Sequence, residues 1–231
     1  MLFQDRRDAG RVLAQAIRAS RDGRDWVEPV VLGIPRGGVP VAFEVARELS
    51  IPLDLLVVRK LGVPGQEELA MGAIASGGTV VINQMVVHEL GISLETIEEV
   101  AQQERMEIER RERAYRDGRA PARVEGRTAI LIDDGLATGS SMMAAARSLR
   151  SRARQVIVAV PVAAESTCNE LRSEVDKIIC ATTPQLFFAV GMFYRNFAQT
   201  TDEEVRTLLS KARSDEGSRA AWEGRCHHGA F

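Results

Sequence analysis

Hydrophobic and polar positions along this chain repeat with two different periods. Residues 7–21 place Ala9, Val12, Leu13, Ala16 and Ile17 three or four apart, the spacing of a helix with one apolar face. Residues 29–35 are apolar almost without interruption and too few for a helix, so a strand buried on both faces is expected there. The same contrast recurs downstream. Expected strands at 53–58, 128–132, 155–160 and 175–180 interleave with expected helices at 41–49, 142–149 and 164–173. Alternation of this kind predicts an α/β fold, an open parallel sheet flanked by helices.

Other stretches depart from that rhythm. Residues 61–78 are rich in glycine and short side chains and hold Pro64-Gly65, Glu67 and Glu68, so they read as a long loop, and such loops in compact domains serve as lids or stay disordered. Residues 79–88 look strand-like, with 72–75 placed to pair beside them as a flap. Gly91-Ile92-Ser93 caps an expected helix over 94–117 that Gly118 ends. Its Glu107–Arg111, Glu109–Arg113 and Glu112–Arg116 pairs all have the favourable i to i+4 order, so its arginines read as a solvated or subunit-facing surface. Thr201 to Glu204 has the form of a capping box for a last helix ending near Ala212, leaving 213–231 as a flexible polar tail. One domain over 1–212 is expected.

Composition narrows the functions open to such a fold. With 231 residues, 45% of them hydrophobic, the chain can bury one sizeable core. A formal charge of −2 offers no broad attraction to nucleic acid or to a membrane, and neither is expected as a partner. Cys168, Cys180 and Cys226 lack C-x-x-C spacing and are odd in number, which fits a reducing, cytoplasmic setting better than a disulfide framework. His88 reads as structural, and the Cys226-His227-His228 end as a frayed tail rather than a metal site.

The chemistry gathers where the strand 128–132 meets Asp133 and Asp134. Two carboxylates at the carboxyl end of a parallel strand lie at the edge where such sheets bind ligands. Gly135-Leu-Ala137-Thr138-Gly139-Ser140-Ser141 follows, a turn of small residues leading into a helix. Open backbone N–H groups, three hydroxyls and the helix N-terminus suit an anion such as phosphate. The acids must then face another part of the ligand, and vicinal hydroxyls or a magnesium ion are what paired carboxylates bind. Phosphate beside a diol describes a ribose 5-phosphate. No lysine precedes Ser140 as a nucleotide-triphosphate P-loop requires, and no G-x-G-x-x-G opens a strand–helix unit. A second turn, Arg36-Gly37-Gly38, lets backbone approach a ligand and adds a guanidinium for polyphosphate. Arg59 and Lys60, expected at the end of the strand 53–58, are adjacent cations that call for an anion or water.

Residues 130–141 resemble the phosphoribosyl-pyrophosphate (PRPP) signature of type I phosphoribosyltransferases: four apolar residues, two acids, then a T-G-[ST]-[ST] turn. The whole chain resembles a bacterial branch of that family pairing a Pro-Arg-Gly-Gly turn with an Asp-Asp-Gly-x-Ala-Thr-Gly turn, a resemblance that names no acceptor base. It implies an enzyme of the open-sheet fold with a mobile loop or flap and a small hood, here the N-terminal helix and about 184–200. It further implies magnesium-dependent transfer of a 5-phosphoribosyl group from PRPP to a heterocyclic base, release of diphosphate, and a homodimer.

Carried over residue by residue, the resemblance puts Asp133 and Asp134 on the ribose hydroxyls and, indirectly, on Mg2+. Gly135 and Ala137 to Ser141 wrap the 5-phosphate, and residues 35–38 correspond to the diphosphate loop, where the family often has a non-proline cis peptide. Purine-salvage members use an acid three residues after the second aspartate; here that position is Ala137, so the acid–base group is sought in Glu67 or Glu68, with Lys60 and Arg59 neutralising diphosphate. Phe188 and Tyr194, with Phe187 and Phe193, are candidates to stack on the base. The alternative is a non-catalytic module that senses PRPP or a nucleotide on the same fold.

Overall fold

The computed structural model describes residues 2–20 and 26–227, with side chains described as far as Asp215. Its centre is the strand β6, Thr128–Ile132, in which all five residues are buried. The alternating side chains of a strand face opposite ways, and here the two faces meet two different cores. Ile130 and Ile132 join one apolar cluster with Val31, Ile157 and the helical residues Leu13 and Val45. Ala129 and Leu131 join another with Val30, Val158, Met142 and Leu149. Burying a leucine or isoleucine in this way stabilises by about 1.5–3 kcal/mol, which explains why the strand sequences are continuously apolar.

In chain order, α1 (Arg6–Ala19) precedes β1 (Val30–Gly33), α2 (Gly38–Leu49) and β2 (Leu53–Leu55). A hairpin follows, β3 (Val58–Val63) with β4 (Gln66–Ala75), then β5 (Val80–Ile82), α3 (Gln84–Glu89) and α4 (Leu94–Arg116). After β6 come α5 (Ser140–Leu149), β7 (Gln155–Val162), α6 (Glu165–Leu171), β8 (Lys177–Thr182), a 3-10 turn (Val190–Phe193) and α7 (Asp202–His227). The main sheet runs β2-β1-β6-β7-β8, parallel throughout, and β3-β4-β5 forms a separate antiparallel sheet. The expected open parallel sheet flanked by helices is therefore present. Asp5 caps α1, Ser93 caps α4, and Glu204 N–H donates to Thr201 Oγ1 at the start of α7.

Several expectations are corrected. The stretch 53–58 is not one strand: β2 ends at Leu55, and Arg59 and Lys60 lie inside β3, in the second sheet. Residues 61–78 are not an irregular loop but mostly that hairpin, because Pro64-Gly65, with Gly65 at φ +80°, has the form of a tight type II turn. Glycine content hid the strands. Residues 72–74 do pair with β5 as a flap, but from Gln84 the chain turns helical, with Asn83 accepting from Val86 N–H as N-cap. The last helix continues past Ala212 to His227. The helix end placed at Arg21, and His228, lie outside the described residues.

Arg116 also departs from its expected solvated face. It is 2% exposed and donates to Asp54, Glu112 and the carbonyl of Leu55, so the end of α4 is clamped to β2. Asp54 in turn accepts from Ala122 N–H at 2.6 Å.

Candidate active site

β6 delivers Asp133 and Asp134 to the carboxyl edge of the sheet, both partly accessible. Asp133 Oδ1 accepts from Asp134 N–H at 2.8 Å. Burial, reinforced by the neighbouring Asp134 carboxylate, pushes the Asp133 carboxyl well above its ordinary value. Burial also raises Asp134, opposed by Arg6. A carboxylate pair in that situation favours a cation or hydroxyl donors.

The turn after the acids is open on its backbone. Among the described residues, the N–H groups of Ala137, Thr138 and Gly139 have no hydrogen-bond partner in the protein. Gly139 sits at φ +68°, a left-handed conformation that glycine adopts without cost. Ala137, Thr138 and Ser140 are exposed, and Thr138 Oγ1 lies 3.3 Å from Ser140 Oγ. The support is all behind the turn: Thr167 Oγ1 donates to the Ala137 carbonyl at 2.5 Å, and Leu136 N–H to the Val162 carbonyl. An anion can therefore meet three N–H groups without displacing a protein contact, and the two hydroxyls at the cost of the one bond between them.

The Arg36-Gly37-Gly38 turn packs directly against the acids. A Cβ on Gly38 would meet Ile132 O at 2.6 Å and Asp133 Cα at 2.8 Å, and one on Gly37 would strike the Asp134 carboxylate. These glycines are present because two backbone segments touch. The Pro35–Arg36 peptide is cis, as the resemblance implied. One correction applies: Gly38 offers no free N–H, since it donates to the Ile34 carbonyl at 3.0 Å, while Arg36 and Gly37 N–H have no protein partner among the described residues. The Arg36 guanidinium lies 3.7 Å from Asp202, whose other contact is the Tyr115 hydroxyl. Burial and that hydrogen bond push the Tyr115 hydroxyl up to about 12.

The hairpin faces this edge across a cleft of about 960 Å³ that Pro35, Ser141, Lys60, Glu67 and Glu68 all line. Lys60 is exposed, and its side chain has no hydrogen bond or ion pair among the described residues. Glu67 and Glu68 are exposed too, in the part of β4 where the ladder with β3 is irregular. Arg59 differs from expectation: its guanidinium makes a two-point contact with Glu104 of α4 at 2.5 and 3.2 Å, which raises its proton affinity further. Among the described residues, Lys60 is thus a cation, and Glu67 and Glu68 are carboxylates, that reach the cleft without a protein counter-ion.

The hood behaves in two ways. Phe188 is 76% exposed, available to a flat ligand. Tyr194 is not: it is 6% exposed, its ring lies 5.4 Å from Phe3 and 5.0 Å from Phe197, and its hydroxyl donates to the Asp134 carbonyl at 2.5 Å. Its role is to hold the acid loop from behind, not to stack on a base. Phe187 and Phe193 stack on each other with ring centres 5.4 Å apart.

Arg6 was missed in the sequence. Its Nε donates to Asp134 Oδ2 at 2.8 Å, its Nη1 to the Ala198 carbonyl at 2.7 Å, and its guanidinium lies 4.0 Å over the Phe197 ring. It ties the acid loop to the hood. A basic residue in the first turn of an amphipathic helix gives no local signal of a partner 128 positions away.

Among the described residues no group of three acids, histidines or cysteines could hold a metal by itself. A divalent ion here would take at most Asp133 and Asp134 from the protein, and the rest of its shell from water and phosphate oxygens. That donor set suits Mg2+, which usually keeps several waters and binds one or two carboxylates plus phosphates.

A turn with open amides, a twin-acid strand end and a glycine turn thus lie together at one edge of a parallel sheet. The chain belongs to the phosphoribosyl transferase domain family, whose model matches residues 4–193. It is 46% identical over 215 residues to "Putative phosphoribosyl transferase MT0597" of Mycobacterium tuberculosis, an alignment covering 93% of this chain and 48% of that one, so the chain spans about half the length of the curated relatives it matches. The crystal structure of TT1426 from Thermus thermophilus is 40% identical, with a TM-score of 0.79 over 90% of this chain and 98% of that one. A hypothetical protein from Neisseria gonorrhoeae shares the fold alone, at 12% identity and a TM-score of 0.50 over 92% and 97% of the two chains.

Proposed function

We propose that the protein transfers a 5-phosphoribosyl group from PRPP to a nitrogenous base and releases diphosphate, with Mg2+ bound alongside the donor. The observation that supports this most is the open backbone of Ala137, Thr138 and Gly139 beside two aspartates that burial leaves in need of hydroxyl or cation partners. In this reading the 5-phosphate rests on those amides and on the Thr138 and Ser140 hydroxyls. The ribose 2- and 3-hydroxyls donate to Asp133 and Asp134, and Arg6 keeps Asp134 in place.

The diphosphate lies toward the free N–H groups of Arg36 and Gly37, and Lys60 approaches it from the hairpin. Charge develops on the departing diphosphate as the glycosidic bond breaks, so fixed positive groups there lower the barrier. Asp133 and Asp134 would help hold Mg2+ indirectly, through ribose hydroxyls or water, and the ion would supply further neutralisation of that leaving group. Glu67 or Glu68 accepts the proton that the base loses on bond formation, and the hairpin above the cleft limits access of water. Phe188 offers its exposed ring to the acceptor. By family resemblance the working form is a homodimer, and the cysteine pattern supports a reducing, cytoplasmic setting.

The test uses calorimetry with PRPP and Mg2+. Asp133→Asn combined with Asp134→Asn should abolish donor binding while circular dichroism is unchanged; affinity retained in the double variant would refute the assignment. Glu68→Gln should slow turnover with donor affinity nearly intact, and an equal loss of both would remove that residue from the chemistry.

A further inference from the structure

Cys168 on α6 and Cys180 on β8 are free thiols whose sulfur atoms lie 3.2 Å apart, although twelve positions separate them in sequence. Cys168 is 4% exposed and Cys180 is partly exposed. The proposed transfer reaction uses neither. Their surroundings connect them to the anion turn at two points. Thr167, next to Cys168, donates to the Ala137 carbonyl, and its Cγ2 stands 2.6 Å from where a Cβ on Gly139 would be. Ala164 N–H, just before α6, donates to the Leu136 carbonyl at 3.2 Å. The first turn of α6 is therefore the support beneath residues 136–139.

A disulfide requires its sulfur atoms about 2.05 Å apart, over 1 Å closer than these stand. Cys180 is fixed in the parallel ladder opposite Val160, and β7 carries the sheet on its other side. Whatever part of that approach side-chain rotation does not supply falls on α6, which is short and lies at the surface. Moving its first turn shifts Thr167 against Ala137 and Gly139, with which it is in contact.

We propose that Cys168 and Cys180 are a modification site at which a hydroperoxide forms a reversible intramolecular disulfide, and that this cross-link loosens the anion turn at 137–139. The Cys168 thiolate attacks one peroxide oxygen, the O–O bond breaks, and a sulfenic acid forms as the other oxygen leaves as water or alcohol. The Cys180 sulfur then attacks Cys168 Sγ, the S–O bond breaks, and that oxygen leaves as water with the proton from Cys180. Two thiols are oxidised and one peroxide is reduced. The shared hydrogen bond suits these roles, because it holds the Cys168 thiol down at about 7 and pushes the Cys180 thiol up.

The loosening matters for activity only on the phosphate reading of the turn, so two independent readouts are needed. The full chain is treated with hydrogen peroxide, and peptide mapping should find the 168–180 cross-link, lost with dithiothreitol and absent from Cys168→Ser and Cys180→Ser. Amide hydrogen exchange at Leu136, Met143 and Ala164, whose N–H groups are hydrogen-bonded in and beneath the turn, should then rise in the oxidised protein and not in the serine variants. Failure to form the cross-link, or formation with unchanged exchange at the turn, overturns the proposal. Calorimetry with inorganic phosphate and with PRPP should show affinity about fivefold or more weaker after oxidation. If the reduced protein binds neither ligand, the functional reading fails, while mapping and exchange still decide the redox site.

Discussion

The turn after β6 and the β3–β4 hairpin form two sides of one cleft by opposite means. The turn presents backbone. Its acids and amides are held from behind by Arg6, Thr167 and the Tyr194 hydroxyl, contributed by α1, α6 and the hood, and the Gly37-Gly38 segment presses against it. The hairpin presents side chains. Lys60, Glu67 and Glu68 are exposed, and the strand ladder they sit on is irregular near its tip. On the proposed reading, the groups that fit a fixed phosphate are set in the supported part, because amide geometry is only as good as what fixes it. On the same reading, the groups that meet changing charge are exposed side chains with few protein contacts. The two halves should therefore respond to substitution in different ways.

The largest effect is expected from Gly38→Ala. Its Cβ would press on two backbone atoms, the Ile132 oxygen and Asp133 Cα, neither of which can rotate away. Overpacking of this kind costs about 1–3 kcal/mol, and the acids should be displaced enough to lose PRPP binding. Thermal unfolding and calorimetry would check both, and a stable variant that binds normally would break the contrast between a locked turn and a tolerant hairpin.

A smaller and one-sided effect should follow Lys60→Ala. The side chain has no protein partner among the described residues, so the unfolding free energy should stay within about 0.5 kcal/mol of wild type. Donor affinity should fall by about tenfold, the value of one charge-assisted contact. Loss of stability without loss of affinity would show that Lys60 belongs to the scaffold.

The smallest effect concerns α4, which backs the hairpin. Arg110 and Arg111 hold the Glu107 carboxyl at about 2, below its ordinary 4.5. A depressed carboxyl stabilises the fold at pH above 4.5, and that contribution is lost as pH falls toward 2. Because Glu107 is close to solvent, Glu107→Gln should cost well under about 1 kcal/mol at neutral pH, and the difference from wild type should shrink in acid. A difference that grew in acid would reverse the sign argument.

Much of the rigid half was legible before any coordinates. β6 begins and ends where its apolar run does, Asp133 and Asp134 stand at its carboxyl end, and the small residues of 135–141 lead into a helix. The hairpin was less legible. Its strands are short on β-branched residues and long on glycine, and only Pro64-Gly65 marked the reversal. The assignment of Tyr194 to base stacking failed for another reason: an aromatic beside a ligand edge and one packed under it have the same local pattern.

Local pattern reaches as far as period, capping and turn chemistry, because those depend on neighbours within a few positions along the chain. It therefore carried the parallel sheet, the anion turn, and the glycines at 37 and 38. Partnership across the fold is another matter. Arg6 with Asp134, Arg116 with Asp54, Tyr194 with the acid loop and Cys168 with Cys180 join positions 128, 62, 60 and 12 apart. Which cation is paired, which aromatic is covered and which thiol meets another depends on how finished elements dock, and that is a property of three-dimensional packing.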